Sequence, residues 1–170
     1  MSLPDAEKLL LRLADDMRPQ VGKDTQLVGI HTGGVWLAER LNRILDLARP
    51  IGTIDVSFYR DDYESRGLHP SVKSSQMPLS VDDADVVLVD DVLFTGRTIR
   101  AALNQLFDYG RPRRVRLAAL IDRGGRELPV AAQFVGAELS VRDHEQIDLV
   151  RDEAGRLGLK VVMRDAGERR

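Results

Sequence analysis

Along the chain the apolar positions keep one of two periods, and each change of period marks a predicted element. Leu9, Leu10, Leu13 and Met17 recur at helical spacing behind Pro4–Glu7, with Pro19 just beyond, which predicts a helix over 4–18. Gln26–His31 reads as a buried strand, followed by Thr32-Gly33-Gly34 and a helix over 35–47 carrying Leu37, Leu41, Ile44 and Leu45. Ile51–Tyr59 alternates like a strand. Val86–Val89 is an unbroken apolar run suited to a strand covered on both faces, and Ile99, Ala102, Leu103, Leu106 and Phe107 restore the helical period after it. Arg114–Ile121 is the next predicted strand and Gln133–Val135 a short one. Ile147–Arg151 and Leu159–Arg164 form a candidate hairpin or edge pair. Between 62 and 78 the sequence turns polar, with Gly67, Pro70, serines and Pro78, which predicts an exposed loop or lid. No repeat or linker divides the chain, so one α/β domain over 1–170 is expected.

The chemistry concentrates where the central strand gives way to its helix. Asp90 and Asp91 stand at the expected strand end, and Thr95, Gly96, Arg97 and Thr98 occupy the turn. The first turn of a helix has N–H groups without helical acceptors, and its dipole favours an anion there. Gly96 lets the backbone approach, Thr95 and Thr98 add donors, and Arg97 adds a fixed positive charge. Carboxylates beside a phosphate would repel it, so Asp90 and Asp91 are read as facing sugar hydroxyls of the same ligand. A plain capped helix start accounts for Thr95 or Asp91 singly, but not for the whole set. Neighbouring side chains of a regular strand diverge, so both aspartates reach one ribose only if the strand has already ended. Thr32-Gly33-Gly34 is a second turn of the same physical kind; alone it reads equally as a tight strand-to-helix connection.

Composition removes several alternatives. The 170 residues carry a formal net charge of -2, 43% hydrophobic and 31% charged residues, an ordinary globular balance with no overall signal for nucleic acid. With no cysteine, disulfides and thiolate chemistry are excluded. His31, His69 and His144 have no ligand spacing, and neither a GxSxG elbow nor a Walker A loop is present. No leader pattern or membrane-length apolar run occurs, so a cytoplasmic location is expected.

The spacing Asp-Asp-x-x-x-Thr-Gly-x-Thr after an apolar strand resembles the phosphoribosyl pyrophosphate (PRPP) motif of the type I phosphoribosyltransferases. Further matches fall in order. They are Thr32-Gly33-Gly34 with Leu37-Ala38-Glu39-Arg40-Leu41, Tyr59-Arg60-Asp61-Asp62, Gly110-Arg111-Pro112, and Asp122-Arg123-Gly124 with Arg126-Glu127-Leu128-Pro129. Together they resemble the PyrR family, pyrimidine-operon regulators that are also uracil phosphoribosyltransferases. The resemblance implies a type I phosphoribosyltransferase fold: a central, mainly parallel sheet flanked by helices, with a small hood over 122–135. It implies conversion of uracil and PRPP to UMP and pyrophosphate with Mg²⁺, in a homodimer or homotetramer. On that basis Asp90 and Asp91 bind the ribose, with Mg²⁺ held through PRPP and these two carboxylates. Val92, Leu93, Phe94, Thr95, Gly96, Arg97 and Thr98 hold the 5-phosphate, Thr32 and Gly33 receive the pyrophosphate, and Arg60 neutralises it as it leaves. Asp122, Arg123, Arg126, Leu128 and Pro129 belong to the nucleobase hood, with Arg126 also reaching the pyrophosphate.

Two departures stand out. Gly33 occupies a position where the family commonly has arginine, removing a charge beside the expected pyrophosphate. Gly136-Ala137-Glu138-Leu139-Ser140-Val141 replaces a stretch that often carries lysine. A regulatory role requires a basic surface for the pyr mRNA leader, and Arg111, Arg113, Arg114, Arg116, Arg123 and Arg126 are the local candidates. A UMP-sensing, RNA-binding regulator without catalysis and a purine-base phosphoribosyltransferase remain the alternative readings.

Overall fold

The computed structural model describes residues 3–57 and 75–163. Five strands form one sheet: β1 (Gln26–Ile30), β2 (Gly52–Ile54), β3 (Asp85–Leu93), β4 (Arg114–Asp122) and β5 (Phe134–Glu138). They lie in the order β2-β1-β3-β4-β5 with every neighbouring pair parallel. Both faces are covered, which is why the central strands carry near-continuous apolar runs. On one face α1 (Ala6–Met17) and α2 (Gly33–Ile44) set Leu10, Leu13, Leu37 and Leu41 against Leu27, Val87 and Val89. On the other, α3 (Arg97–Asp108) sets Ile99, Ala102 and Leu106 against Val28, Val86 and Leu88. The predicted C-terminal hairpin is present as antiparallel β6 (Glu145–Arg151) and β7 (Leu157–Met163), which packs Ile147, Leu149 and Leu157 into the α1–α2 layer.

Local chemistry shifts several predicted boundaries. Helix α1 starts at Ala6 because the Asp5 carboxylate accepts the N–H groups of Glu7 at 2.9 Å and Lys8 at 3.3 Å. Helix α2 starts two residues before its apolar spacing predicts, inside the glycine turn. Strand β2 stops at Ile54, and the remainder of its predicted span from 58 onward lies outside the described residues. So do Arg60 and most of the predicted 62–78 loop; the end of that loop returns as Gln76, which exchanges two backbone hydrogen bonds with Thr53. Among the described residues no helix is long and apolar enough to cross a membrane.

The topology places the site. From β1 the chain passes through α2 to β2 on one side; from β3 it passes through α3 to β4 on the other. The two helices lie on opposite faces, so a crevice opens between the carboxyl ends of β1 and β3, where open α/β sheets bind ligands.

The opposite edge is held by a buried ion cluster. Asp85 accepts hydrogen bonds from Arg114 Nε at 2.9 Å, Arg116 Nη2 at 2.8 Å and Thr25 Oγ1 at 3.1 Å. Arg116 is 9% exposed and also donates to the Gln20 carbonyl at 2.9 Å. Burial pushes the Asp85 carboxyl up, but the bonds from Arg114 and Thr25 and the charge of Arg116 together hold it below the usual carboxylate range. This arrangement corrects the expected arginine surface. Arg116 is buried and Arg114 is bound to Asp85, while Arg123 and Arg126 lie beyond the far end of β4, about 26 Å away at strand rise. Only Arg111 and Arg113 of that group remain exposed at this edge without an ion pair among the described residues. Replacing Asp85→Asn leaves the buried Arg116 charge uncompensated and should lower unfolding free energy by about 3 kcal/mol in urea titration. A loss below about 1 kcal/mol would show that the cluster does not hold this edge together.

Candidate active site

The turn from β3 to α3 is built by a second segment, residues 123–128. Three successive carbonyls of the turn accept from it: Leu93 from the Arg123 N–H at 2.9 Å, Phe94 from Arg126 Nη1 at 2.5 Å, and Thr95 from the N–H groups of Glu127 and Leu128, both at 3.0 Å. Carbonyl oxygens would repel an anion, so drawing them to one side leaves the N–H side of the turn to face it. Gly96 has φ +93°, and its Cα faces Val130 and Leu128 so closely that an added side-chain carbon would crowd them. The Arg97 N–H donates to Thr95 Oγ1 at 3.2 Å, so one donor of the first helical turn is already used.

The aspartates sit differently from the sequence expectation. Strand β3 does not end at Asp90 but runs to Leu93. What changes is its phase. Val87, Val89 and then Val92 pack into the α1–α2 layer, whereas Val86, Leu88 and then Leu93 pack under α3. The register with β4 pairs Asp90 with Ala119 and resumes at Val92 with Ile121, omitting Asp91. At the gap each carboxylate takes the following amide: Asp90 Oδ1 accepts the Asp91 N–H at 3.0 Å, and Asp91 Oδ1 accepts the Val92 N–H at 3.1 Å. The phase of the strand thus changes at the two aspartates, inside β3 rather than at its end. Asp90 is buried at 2% exposure, while Asp91 is partly open.

Asp91 also meets the other turn. A side-chain carbon on Gly33 would collide with the Asp91 carboxylate, and one on Gly34 would collide with the Val89 carbonyl. Two glycines therefore let the start of α2 close onto the end of β3. Thr32 stands at the N-cap of α2, so the two candidate anion sites share one crevice with a carboxylate between them. Glycine at 33 matches this contact, since the space beside it is filled by Asp91.

The cations are less free than their sequence positions imply. Arg97 pairs with Glu127 at 2.8 Å, both half-exposed, a contact weak enough to exchange for a phosphate. Arg123 is buried and lies over the Phe94 ring, 4.0 Å from its centroid. Arg126 grips both oxygens of Asp122, at 2.8 and 2.6 Å, besides the Phe94 carbonyl. It thus fastens 122–128 to the turn between β3 and α3. Leu128 packs at Gly96 and Pro129 is exposed beside it. Glu127 and Val130 fall inside the expected hood without an individual role there; the opposite charges of Glu127 and Arg97 are the signal in the sequence that pairs them.

A strand-to-helix phosphate turn, two carboxylates at its base and a second glycine turn across a topological switch point are what the phosphoribosyltransferases are built on. The chain belongs to the phosphoribosyl transferase domain family, whose match spans residues 3–149, and within it to the PyrR group. "Bifunctional protein PyrR" of Pseudomonas aeruginosa is 52% identical over 154 aligned positions, covering 88% of this chain and 91% of the relative. The protein of that name from Syntrophobacter fumaroxidans is 47% identical over 176 aligned positions, covering 100% of this chain and 94% of the relative. Among solved structures, a hypoxanthine-guanine phosphoribosyltransferase of Bacillus anthracis superposes with a TM-score of 0.64 at 20% identity, covering 82% of this chain and 83% of that one. A purine phosphoribosyltransferase of Pyrococcus horikoshii gives 0.59 at 23% identity, covering 82% and 85%. These structures establish the fold.

Burial pushes the Asp122 carboxyl up, but Arg126 and the Gly124 N–H outweigh it and hold it below the ordinary 3.8. A carboxylate lowered on folding stabilises the native state above its unfolded value, and that contribution fades as pH falls through the folded value. Asp122→Asn should therefore cost about 2 kcal/mol near neutral pH. The difference from the parent chain should narrow as denaturation is measured below pH 3.8. A pH-independent difference would mean that the charge of Asp122 contributes nothing.

Proposed function

We propose that this chain transfers the phosphoribosyl group of PRPP to uracil, giving UMP and pyrophosphate, and that it also regulates pyrimidine genes by sensing uridine nucleotides and binding an mRNA leader. The observation that carries the transferase reading is the Asp91–Gly33 contact, which joins the ribose carboxylates to the second anion turn in one crevice. Uracil as the base, and the regulatory role, rest on the resemblance to the PyrR family. Assembly as a dimer or tetramer is part of the same proposal.

In this mechanism uracil N1 bonds to the anomeric carbon as the bond to pyrophosphate breaks, and the N1 proton leaves to water, so that uracil and PRPP give UMP, pyrophosphate and a proton. Positive charge develops on the ribose ring. The turn over 95–98 with the N-terminus of α3 fixes the 5-phosphate, and Asp90 and Asp91 accept the ribose hydroxyls. Their carboxylates also oppose the developing ring charge. Thr32 and Gly33, at the N-terminus of α2, take the pyrophosphate, and Arg60 helps to neutralise it. Asp122, Arg123, Leu128 and Pro129 frame the base as a hood, with Arg126 holding that frame to the phosphate turn. Catalysis is positioning and electrostatics, without a protein nucleophile.

Asp90 and Asp91 suit Mg²⁺, which binds through one or two carboxylates together with substrate phosphates rather than a full protein cage. Bound there, Mg²⁺ supplies positive charge beside the leaving pyrophosphate.

UMP formation from labelled uracil, PRPP and Mg²⁺ tests the reading, with hypoxanthine and guanine in parallel. Turnover should require uracil and fall about 10²-fold or more in the Asp90→Asn, Asp91→Asn double variant. Gly33→Ala, which displaces Asp91, should weaken PRPP at least tenfold with little loss of stability. Turnover with a purine base instead would sink the uracil assignment. Tight UMP binding without turnover would favour the regulator alone, consistent with the missing charge at Gly33. For the RNA role, affinity for a pyr leader should fall steeply with salt.

A further inference from the structure

A second cleft lies away from the switch point, between the outer stripe of α2 and the turn joining β6 to β7. It encloses about 380 Å³ and is lined by Trp36, Glu39, Arg40, Arg43, Arg151 and Leu157. The four α2 residues fall at i, i+3, i+4 and i+7 and share one face. Its rim is rigid. The Glu7 carboxylate accepts the Leu157 N–H at 2.8 Å and pairs with Arg40 at 2.6 Å, which ties the hairpin to both helices. That pairing neutralises Arg40.

Two cations are left over. Arg151 lies over Trp36, 4.6 Å from the ring centroid, and makes no ion pair among the described residues. Arg43 has no carboxylate partner among them either; its Nε donates to the Glu39 carbonyl at 3.4 Å. Glu39 is the one carboxylate lining the cleft, so two exposed guanidinium groups face one negative charge. A stacked Arg–Trp pair offers a flat, polarisable platform that suits a nucleobase, and an unpaired arginine beside it suits a phosphate. The volume lies within the range of small-ligand sites.

We infer that this cleft is a second nucleotide site, taking a base against the Arg151–Trp36 stack and a phosphate on Arg43. It goes beyond the transferase reading and does not depend on it, because none of its residues belongs to the switch-point crevice. Glu39 is placed to accept a hydrogen bond from a ribose hydroxyl or an exocyclic amine. The cleft also touches the crevice indirectly. Trp36 lies in the first turn of α2, and its N–H donates to the Thr32 carbonyl at 3.4 Å, so an occupant bears on the helix that carries the second anion turn. The same nucleoside phosphate chemistry is offered by a free nucleotide and by one unpaired residue of an RNA strand.

Trp36 is the only tryptophan in the chain, so its emission reports on this cleft. The full chain is titrated with UMP, with GMP and with pentauridylate, each in saturating PRPP and Mg²⁺ to occupy the crevice, and again without PRPP. UMP or GMP should still change Trp36 emission saturably in the presence of PRPP. An Arg43→Gln, Arg151→Gln double variant should weaken that response at least tenfold while UMP synthesis stays within twofold of the parent. Pentauridylate binding ten times more tightly than UMP assigns the site to an RNA strand, and equal or weaker binding assigns it to a free nucleotide. No saturable response to any of the three, or an unchanged response in the double variant, overturns the inference. A chain that fails to bind PRPP sinks the transferase reading instead and leaves the emission test intact.

Discussion

An anion turn must aim its N–H groups at the ligand, and the carbonyls of the same peptides then need acceptable partners elsewhere. Here Leu93, Phe94 and Thr95 place all three carbonyls on the 123–128 segment. The turn between β3 and α3 and the 123–128 segment are therefore one object rather than two neighbours. Arg126 completes it by gripping Asp122 and Phe94 together, and Arg123 covers the Phe94 ring. A substitution on either side disturbs the other. The energetic reason is general: an unsatisfied buried carbonyl costs more than a satisfied one gains.

Across the crevice the constraint is space. Gly33 and Gly34 bring α2 onto the end of β3, and Asp91 fills the place that a larger residue at 33 would need. The absence of arginine at this position is thus matched by the position of a carboxylate. The second anion turn retains the helix N-terminus as its source of positive potential.

The buried strand followed by a helix over 86–108 was legible because both periods are strong and no long-range contact is needed to recognise them. Asp90 and Asp91 were legible as a site, yet the end of the strand was placed too early. A change of phase inside a strand and a strand terminus leave the same local pattern, two polar residues after an apolar run, and nothing local distinguishes the two. The arginines misled for a different reason. Arg114 and Arg116 look like a polar edge, but their partner Asp85 is on the neighbouring strand, so their burial is a property of the sheet. Backbone bonds such as Arg123 to Leu93 are invisible to residue identity, since any residue supplies them. Glu127 was within the quoted motif, but its pairing with Arg97 spans 30 positions.

The crevice draws on residues 32–34, 90–98 and 122–130, which meet only when β1, β3 and β4 are all in register. Parallel pairing of this kind joins distant stretches of chain and forms late, after loop closure has been met for each crossover. On the ribosome, the segment that takes up the three carbonyls emerges after both anion turns. A nascent chain therefore presents both glycine-rich turns before the segment that bonds the Leu93, Phe94 and Thr95 carbonyls has left the exit tunnel. The piece of the crevice synthesised last is thus the one that completes the turn between β3 and α3.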